Sequence, residues 1–275
     1  MPTQHRILSL VYNEFEALDL FGPLGAIVPR SDYYTLKLVN IHNLGAPHGL
    51  ESSIKNGIGT LPNLSLAEAL QQEEQFDTLF IPGGFGMMPL VWDPILLQQI
   101  AQLADRAANV FTVCTGSILL AATGQLDGRK ATTNKRLYDE FTPKCTCSWA
   151  YHSPVTFCFT LTFFFLLDPG VQWQKRARWV QDGKFLTSSG VTAGIDAGFA
   201  FLANTYVAPE DRKAAPTPLQ KASAKGDATA IPGFDKEKAL GHARFVAFGL
   251  EYRWHSDPAD DPFVDLPRSS TNATV

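Results

Sequence analysis

The chain carries little charge and has no excess of basic residues. Charged residues make up 18% of the sequence, and acidic residues outnumber basic ones to leave a net charge of −4. Proteins that bind nucleic acid through a charged surface carry a basic patch, and this balance offers none. We therefore expect no nucleic-acid partner.

Long apolar runs and a leader segment are also missing. A membrane span needs roughly 20 predominantly apolar residues, whereas the run Val155–Leu167 is shorter and is interrupted by threonines. The first residues, Met1–Arg6, lead straight into a predicted strand and contain no apolar signal segment. We expect a cytoplasmic protein that does not contact a membrane.

The fingerprints of nucleotide binding are absent as well. The apolar stretch Thr78–Ile81 predicts a buried strand, and the loop Pro82–Gly86 follows it with three glycines. No Gly-Lys-Ser/Thr follows, as a phosphate loop requires, and the glycines lack the spacing of a dinucleotide site. By itself this loop predicts only a tight turn.

One cysteine, Cys114, stands where a catalytic nucleophile could lie. The apolar run Val110–Val113 precedes it, and Thr115-Gly116-Ser117 leads into a second apolar run. This pattern predicts a strand, a sharp turn with the thiol at its tip, and a helix. The helix N-terminus would favour the reactive thiolate. The alternative is a buried cysteine that only fills space.

The glycine loop and the cysteine turn suggest one site. If both follow neighbouring strands, the backbone amides of Gly84 and Thr115 would face charge that develops on a substrate at the sulfur. A third segment, which begins at Leu18 and contains Asp19, follows the predicted first strand. Asp19 is either an acid or base beside Cys114 or a residue of a helix N-terminus that interacts with the dipole.

Strand and helix patterns alternate along the chain. We expect strands at Ile7–Val11, Leu36–Ile41, Thr78–Ile81, Val110–Val113, Arg178–Val180 and Phe185–Thr187, and helices at Leu18–Ile27, Leu66–Gln72, Pro94–Ala107, Ser117–Ala122, Lys135–Phe141 and Ala193–Thr205. Such alternation predicts an α/β fold, a mostly parallel sheet sandwiched by helices. Its functional site would lie at the carboxyl ends of the strands.

We expect one domain, residues 1–275, with a core over about residues 5–206. A small hairpin is expected at Ser52–Leu61, an exposed loop at residues 208–232, and a C-terminal helical extension over about residues 235–252, its helix Lys236–Tyr252. An atypical apolar insertion, residues 145–167, fits no element and is either a buried or interface segment or an error of the gene sequence. Its cysteines and histidine, Cys145, Cys147, Cys158 and His152, lack the spacing of a zinc site, so we expect no metal and no cofactor.

Four motifs together resemble a known family. They are Asp19-Leu20-x-Gly22-Pro23, Pro82-Gly83-Gly84-x-Gly86, Cys114-Thr115-Gly116 and the segment Thr187–Asp196. Their order and residues resemble the ThiJ/PfpI superfamily, whose fold is flavodoxin-like and class I glutamine amidotransferase-like. Within it, the chain is most similar to the isonitrile hydratase branch. The resemblance covers His5 to about Tyr206, apart from the insertion.

The resemblance implies a role for each motif residue. Cys114 would be the nucleophile, Thr115 its adjacent threonine, Asp19 its acidic partner and Gly84 the oxyanion glycine. The chain departs from other branches because Thr115 replaces the histidine that follows the cysteine of protease-like members. It also has Asn134 where some hydratase-like members carry a histidine. An acid-assisted thiolate, rather than a Cys–His pair, is therefore expected.

The resemblance implies a cysteine-dependent hydration of a small electrophile, an isonitrile, to an N-substituted formamide. Two alternatives remain: a glyoxalase or deglycase that acts on dicarbonyls, and a thiol redox sensor or ligand-binding module without catalysis. We expect the protein to form a homodimer and to bind a small-molecule substrate. Candidate residues of the substrate pocket are Phe21, Phe85, Met87 and Trp92.

Overall fold

Strands and helices alternate along most of the chain. The computed structural model describes residues 4–29, 32–42, 60–72, 76–142, 170–212, 231 and 233–263. The strands are β1 His5–Val11, β2 Tyr34–Asn40, β3 Leu64–Ser65, β4 Thr78–Ile81, β5 Asn109–Val113, β6 Lys130–Ala131, β7 Gln172–Trp173, β8 Trp179–Asp182 and β9 Phe185–Ser188. The helices are α1 Ala17–Ile27, α2 Leu66–Gln71, α3 Met87–Leu90, α4 Pro94–Arg106, α5 Gly116–Ala122, α6 Tyr138–Phe141, α7 Val191–Thr205 and α8 Lys236–Gly249, with a 3₁₀ turn at Pro209–Asp211.

Seven of these strands form one sheet in the order β3-β2-β1-β4-β5-β9-β8. All neighbours are parallel except β8 and β9, which are antiparallel at one edge. Every residue of β4 is buried, which requires cover on both faces of the sheet. The helices pack in two groups, α1 with α7 and α8, and α2 with α4 and α5. The predicted α/β sandwich with a mostly parallel sheet is confirmed.

The order of the strands reverses direction at β1 and β4. From β1 the chain builds outward through β2 to β3, and then returns to place β4 on the other side of β1. The carboxyl ends of two strands at such a switch point border a crevice, because their connections leave in opposite directions. The candidate site residues lie in this region of the sheet.

Local sequence explains where helix α4 begins and which face it buries. The Asp93 carboxylate accepts the backbone N–H groups of Ile95 and Leu96 at 3.0 Å each, and Pro94 occupies the first turn. An acidic cap followed by proline is favourable because it satisfies free amides and preorganises the first φ angle. The buried residues recur at helical spacing: Leu96, Leu97, Ile100, Leu103 and Ala104. The helix therefore packs one apolar face on the core.

Two predicted helices are each three residues shorter in the structure. The expected helix Lys135–Phe141 is the single turn α6, which begins at Tyr138, because the backbone of Leu137 (φ −101°, ψ 0°) lies outside helical geometry. Helix α8 ends at Gly249 rather than Tyr252, since Glu251 adopts a left-handed conformation with φ of 51°.

Several expectations lie outside the described residues. They are the insertion at residues 145–167, most of the loop at residues 208–232, and the hairpin at Ser52–Leu61 except for its last two residues. Among the helices that the structure does describe, none combines the length and the hydrophobicity needed to cross a bilayer.

Candidate active site

Cys114 stands at the tip of a turn between β5 and α5. Its φ is 57°, a left-handed conformation that costs a non-glycine residue roughly 1–2 kcal/mol. Hydrogen bonds hold it there: its N–H donates to the Ser188 carbonyl at 3.0 Å, and its carbonyl accepts the hydroxyls of Ser117 at 2.9 Å and Thr133 at 3.0 Å. Strain of this kind persists only where the surroundings determine the backbone.

Glycines let the loop after β4 pack directly against the cysteine turn. A Cβ on Gly83 would lie 2.7 Å from Asp19 Oδ2 and 2.8 Å from the Cβ of Cys114. A Cβ on Gly116 would overlap the carbonyl oxygen of Ile81 and lie 2.8 Å from that of Pro82. The glycine motifs therefore bring the end of β4 into direct contact with the cysteine turn.

Gly116→Ala should destabilise the protein by at least about 2 kcal/mol, because the new methyl group forces the end of β4 away from the cysteine turn. Gly25→Ala is the matched control. Gly25 lies in α1 with nothing within 4 Å of its added Cβ, so the change should stabilise by about 0.5–1 kcal/mol. Urea unfolding measures both variants, and two effects of the same sign would contradict the packing described.

Asp19 approaches Cys114 from the other side of Gly83. It lies in the first turn of α1 and is fully buried. Its Oδ2 accepts the Gly83 N–H at 3.2 Å, and its carboxyl is a hydrogen-bond partner of the Cys114 thiol. Its Oδ1 is buried without a hydrogen-bond partner among the described residues. An ionised carboxylate in this position is poorly solvated.

Burial raises the pKa of both acidic groups, and the charge of Asp19 raises that of the thiol further. Burial, with a smaller contribution from the charge of Glu16, raises the pKa of Asp19 to about 7. Burial and the charge of Asp19 raise the pKa of the Cys114 thiol well above its ordinary value, although hydrogen bonds from Asn134 and Thr115 oppose the shift. At neutral pH the thiol is therefore protonated, and the Asp19 carboxyl beside it is close to the midpoint of its titration.

This geometry corrects the expectation of an acidic thiolate. The prediction rested on the N-terminus of the following helix, which lowers the pKa of a cysteine. In the structure the thiol is only 8% exposed and faces a carboxylate. Desolvation and a like charge both favour the neutral thiol, and they exceed the effect of a seven-residue helix.

The Gly84 amide is not free to bind an oxyanion, which corrects a second expectation. Its N–H donates to Thr115 Oγ1 at 2.9 Å, and the same hydroxyl donates to the Gly84 carbonyl at 3.2 Å. The buried Thr115 side chain thus ties the glycine loop to the cysteine turn. The Thr115 backbone N–H instead donates to the Cys114 sulfur.

The structure adds two site residues to those predicted. Asn134 Nδ2 donates to Cys114 Sγ at 3.0 Å, while Asn134 Oδ1 accepts the N–H of Arg136 at 2.9 Å. The buried Tyr12 hydroxyl donates to the Pro82 carbonyl at 2.8 Å, and the tyrosine lies close enough to Asp19 and Cys114 for their charges to raise its pKa. The sequence marks Asn134 only as a replacement for histidine, which carries no signal of contact with the sulfur.

The pocket candidates fall into two groups. Phe21 and Phe85 are 42% and 57% exposed, on α1 and on the glycine loop, and stay candidates for contact with a substrate. Met87 is 1% exposed and packs within the hydrophobic core, and Trp92 packs against that core. Met87 is therefore a core residue rather than a residue of an open pocket.

None of the described histidines lies among the groups that act on the Cys114 thiol. The histidines His5, His42, His242 and His255 make their contacts elsewhere, and none of them acts on the thiol. The described segments contain no group of three or more His, Cys, Asp or Glu side chains that could hold a metal. The cysteine-rich set, Cys145, Cys147, Cys158 and His152, lies outside the described residues.

Asp19→Asn should raise stability above pH 7. Because folding raises the pKa of Asp19 from 3.8 to about 7, its contribution to stability is full below pH 3.8 and is lost as the pH rises through 7. Asparagine cannot ionise, so at pH 8 the variant should exceed wild type by about 2–4 kcal/mol, a gain that shrinks towards pH 4.

Urea unfolding at pH 8 and pH 5 tests this expectation. Asp105→Asn is the matched control, since Asp105 is exposed and hydrogen-bonds only to Gln125 in the contacts that the structure describes. It should change stability little at either pH. Equal stability of Asp19→Asn and wild type at both pH values would mean that ionising Asp19 costs the folded protein no stability.

Known proteins resemble this chain in sequence and in fold. The DJ-1/PfpI family profile matches residues 5–204. The chain is 29% identical over 187 residues to isonitrile hydratase from Pseudomonas putida, a match that covers 68% of this chain and 66% of the hydratase. The chain thus spans just under two thirds of that relative's length.

Solved structures resemble the chain over most of its length. A THiJ/PfpI family protein from Pseudomonas syringae superposes with a TM-score of 0.59 and 22% identity, covering 95% of this chain and 78% of that one. DJ-1beta from Drosophila melanogaster gives a TM-score of 0.57 at 13% identity, covering 92% and 100%. At identities of 22% and 13%, these two matches show a shared fold and nothing more.

Proposed function

Because the chain belongs to the DJ-1/PfpI family, we propose that it is an enzyme in which Cys114 adds to a small electrophilic substrate that is then hydrated. The substrate class we favour is an isonitrile, and the product is an N-substituted formamide. The relative from Pseudomonas putida is named for this reaction.

The observation that carries the proposal is the buried, hydrogen-bonded pair of Cys114 and Asp19. The carboxyl has a pKa of about 7 and hydrogen-bonds to the thiol. A group whose pKa lies near the working pH is suited both to accept and to return a proton. Since none of the described histidines acts on the thiol, this carboxyl is the acid and base of the proposed reaction.

The first step is addition of the thiol across the isonitrile carbon. Ionised Asp19 takes the thiol proton, and the sulfur electron pair forms a bond to the terminal carbon of the isonitrile. That carbon gains electron density and takes the proton back from Asp19. The product is a thioimidate on Cys114, and Asp19 is ionised again. The Asn134 amide, 3.0 Å from the sulfur, stabilises the thiolate while it exists.

The second step is hydrolysis of the thioimidate. Ionised Asp19 accepts a proton from water as the water oxygen bonds to the former isonitrile carbon. The carbon–sulfur bond then breaks, and the sulfur leaves with the proton that Asp19 held. The remaining proton of the added water moves from oxygen to nitrogen, which converts the imidic acid into the formamide. The formamide departs with its new oxygen from water, and the thiol and the carboxylate are restored. One water is consumed and no oxidant or reductant is required.

The occupied amides favour this chemistry over addition to a dicarbonyl. Attack on a carbonyl places negative charge on oxygen at once, and that charge needs preorganised N–H donors. The amides of Gly83 and Gly84 already donate to Asp19 Oδ2 and Thr115 Oγ1. Attack on an isonitrile places the first charge on carbon, where Asp19 can protonate it.

The redox-sensor alternative is less well supported. A sensor cysteine is an exposed, acidic thiol, whereas burial holds the pKa of Cys114 high and leaves the residue 8% exposed. The same features suit a nucleophile that is deprotonated only when a substrate is present.

Parallel assays separate the candidate reactions. Purified protein is incubated with cyclohexyl isocyanide or with methylglyoxal, and the formamide and the hydroxy acid product are measured by chromatography. We expect formamide at a rate well above that of Cys114→Ala, and little conversion of methylglyoxal. Preferential conversion of methylglyoxal would move the function to the dicarbonyl class, and inactivity on both would support a binding role.

A further inference from the structure

The chain after helix α8 runs back across the sheet edge towards the site. We call residues 252–263 the C-terminal strap. Its first part attaches to the carboxyl group and backbone of Asp196 in α7. The Tyr252 hydroxyl donates to Asp196 Oδ1 at 3.1 Å, the Trp254 indole N–H to the Asp196 carbonyl at 3.1 Å, and the His255 N–H to Asp196 Oδ1 at 3.0 Å.

A buried ion pair fixes this attachment to β8 and β9. Arg178 and Asp196 pair through the guanidinium, with side chains 4% and 0% exposed. The backbone N–H of Arg178 donates to the Pro258 carbonyl of the strap at 2.7 Å, and its carbonyl accepts the Ser189 N–H at 2.7 Å. Arg178 thus connects the strap to the residues that follow β9, next to Ser188, whose carbonyl holds the Cys114 amide.

The far end of the strap reaches the loop that carries Asn134. Asp261 forms an ion pair with Lys135, Oδ2 to Nζ at 3.4 Å, and the two side chains are 1% and 10% exposed. Lys135 Nζ also donates to Thr132 Oγ1 and to the Ala177 carbonyl, both at 2.8 Å. The preceding residue is Asn134, whose amide donates to Cys114 Sγ.

We propose that the C-terminal strap is a positioning element of the active site: the Asp261–Lys135 ion pair holds the loop so that the Asn134 amide donates to the Cys114 sulfur. Asp261 and Lys135 are positioning residues, since both act through Asn134. The inference rests on Cys114 being the nucleophile of the proposed function, but it concerns the state of the thiol and not the identity of the substrate.

Energetics favour a positioning role over one in stability. Removing two charges from water costs several kcal/mol, so a buried ion pair adds little to the stability of a fold compared with apolar residues of the same volume. Such a pair does impose one geometry on its surroundings. Here the Lys135 ammonium joins three segments: Thr132 in the loop that leads to Asn134, Ala177 in the chain that leads to β8, and Asp261 in the strap.

Asp261→Asn provides a test because the loss of charge and the loss of positioning would change the alkylation rate of Cys114 in opposite directions. To the extent that the charge of Asp261 reaches the thiol, removing it would make the thiol more acidic and speed its alkylation. Loss of the Asn134 hydrogen bond would make the thiol less acidic and slow it. We therefore measure the rate of Cys114 alkylation by iodoacetamide at pH 8, and peptide mass spectrometry assigns the modification to Cys114.

Alkylation of Asn134→Ala should be about tenfold slower than that of wild type, since a hydrogen bond to a charged group is equivalent to about one pKa unit or more. Asp261→Asn should be about threefold to tenfold slower, and should cause no further slowing when combined with Asn134→Ala. Asp260→Asn is the matched control, because Asp260 belongs to the same strap and its carboxylate is 64% exposed. Its alkylation rate should equal that of wild type.

Unchanged or faster alkylation in Asp261→Asn, or an additive effect with Asn134→Ala, would overturn the proposal. Thermal unfolding confirms that each variant is folded. If Asp261→Asn does not fold, Lys135→Met replaces it. That variant should also slow alkylation, and it should have no further effect when combined with Asn134→Ala. Isonitrile turnover of wild type is measured in parallel. Its absence would contradict the proposed function and leave the alkylation result to decide the role of the strap.

Discussion

Replacing Cys114 with alanine is expected to abolish turnover and leave the fold intact. The sulfur is the atom that bonds to the substrate in the proposed reaction, and Cys114 is the only cysteine in the part of the chain that the structure describes. The loss should be on the order of 10⁴-fold or more, as for other enzymes that lose their nucleophile. Formamide production from cyclohexyl isocyanide measures it, and circular dichroism and thermal unfolding report on the fold.

The matched control removes the other thiols. A variant with alanine at Cys145, Cys147 and Cys158 retains Cys114 and should retain activity. If Cys114→Ala kept the wild-type rate, the sulfur would not be the nucleophile. If only the triple variant lost activity while remaining folded, the chemistry would belong to the segment outside the described residues.

Replacing Asp19 with asparagine should lower the rate by about 10²–10⁴-fold, the usual contribution of a positioned acid or base. It should also remove a pH dependence. In wild type the rate should rise with pH through about 7, because only the ionised Asp19 carboxylate can accept the thiol proton. Below pH 7 the carboxyl and the thiol are both protonated, and no proton acceptor remains for the thiol.

Rates measured from pH 5.5 to 8.5 test this expectation. Asparagine cannot change its charge, so the residual rate of the variant should no longer rise through pH 7. Iodoacetamide should still modify Cys114 in the variant, which would show that the thiol is present and reachable. A pH profile identical to that of wild type would reduce Asp19 to a residue of the first turn of α1.

The buried strands and the cysteine turn can be predicted because their signals are local. β4 and β5 are continuous apolar runs that end at Pro82 and Cys114, and a glycine or a small residue follows each run. Two-residue strands such as β6 and β7 carry no periodicity, so nothing in the sequence marks them. Lys135, in the expected first turn of the helix Lys135–Phe141, instead donates to the Ala177 carbonyl, a partner 42 residues away that the local pattern does not reveal.

The protonation of the site was predicted incorrectly because it depends on the whole fold. A helix dipole can be inferred from the residues that follow Cys114, and it predicts an acidic thiol. Burial of Cys114 and the approach of Asp19 depend on α1 and on Gly83, which lie far away in the sequence. The contact between Asn134 and the Cys114 sulfur cannot be predicted for the same reason, since an asparagine in a loop gives no indication of which side chain it contacts.

The most direct test of the account is detection of the covalent intermediate on Cys114. Wild-type protein is mixed with cyclohexyl isocyanide, quenched in acid during turnover, digested and analysed by mass spectrometry. The account predicts that the peptide containing Cys114 gains the mass of one isocyanide molecule, and that the Cys114→Ala protein gains none. Formation of the formamide without any such adduct on Cys114, or with the adduct on another cysteine, would contradict it.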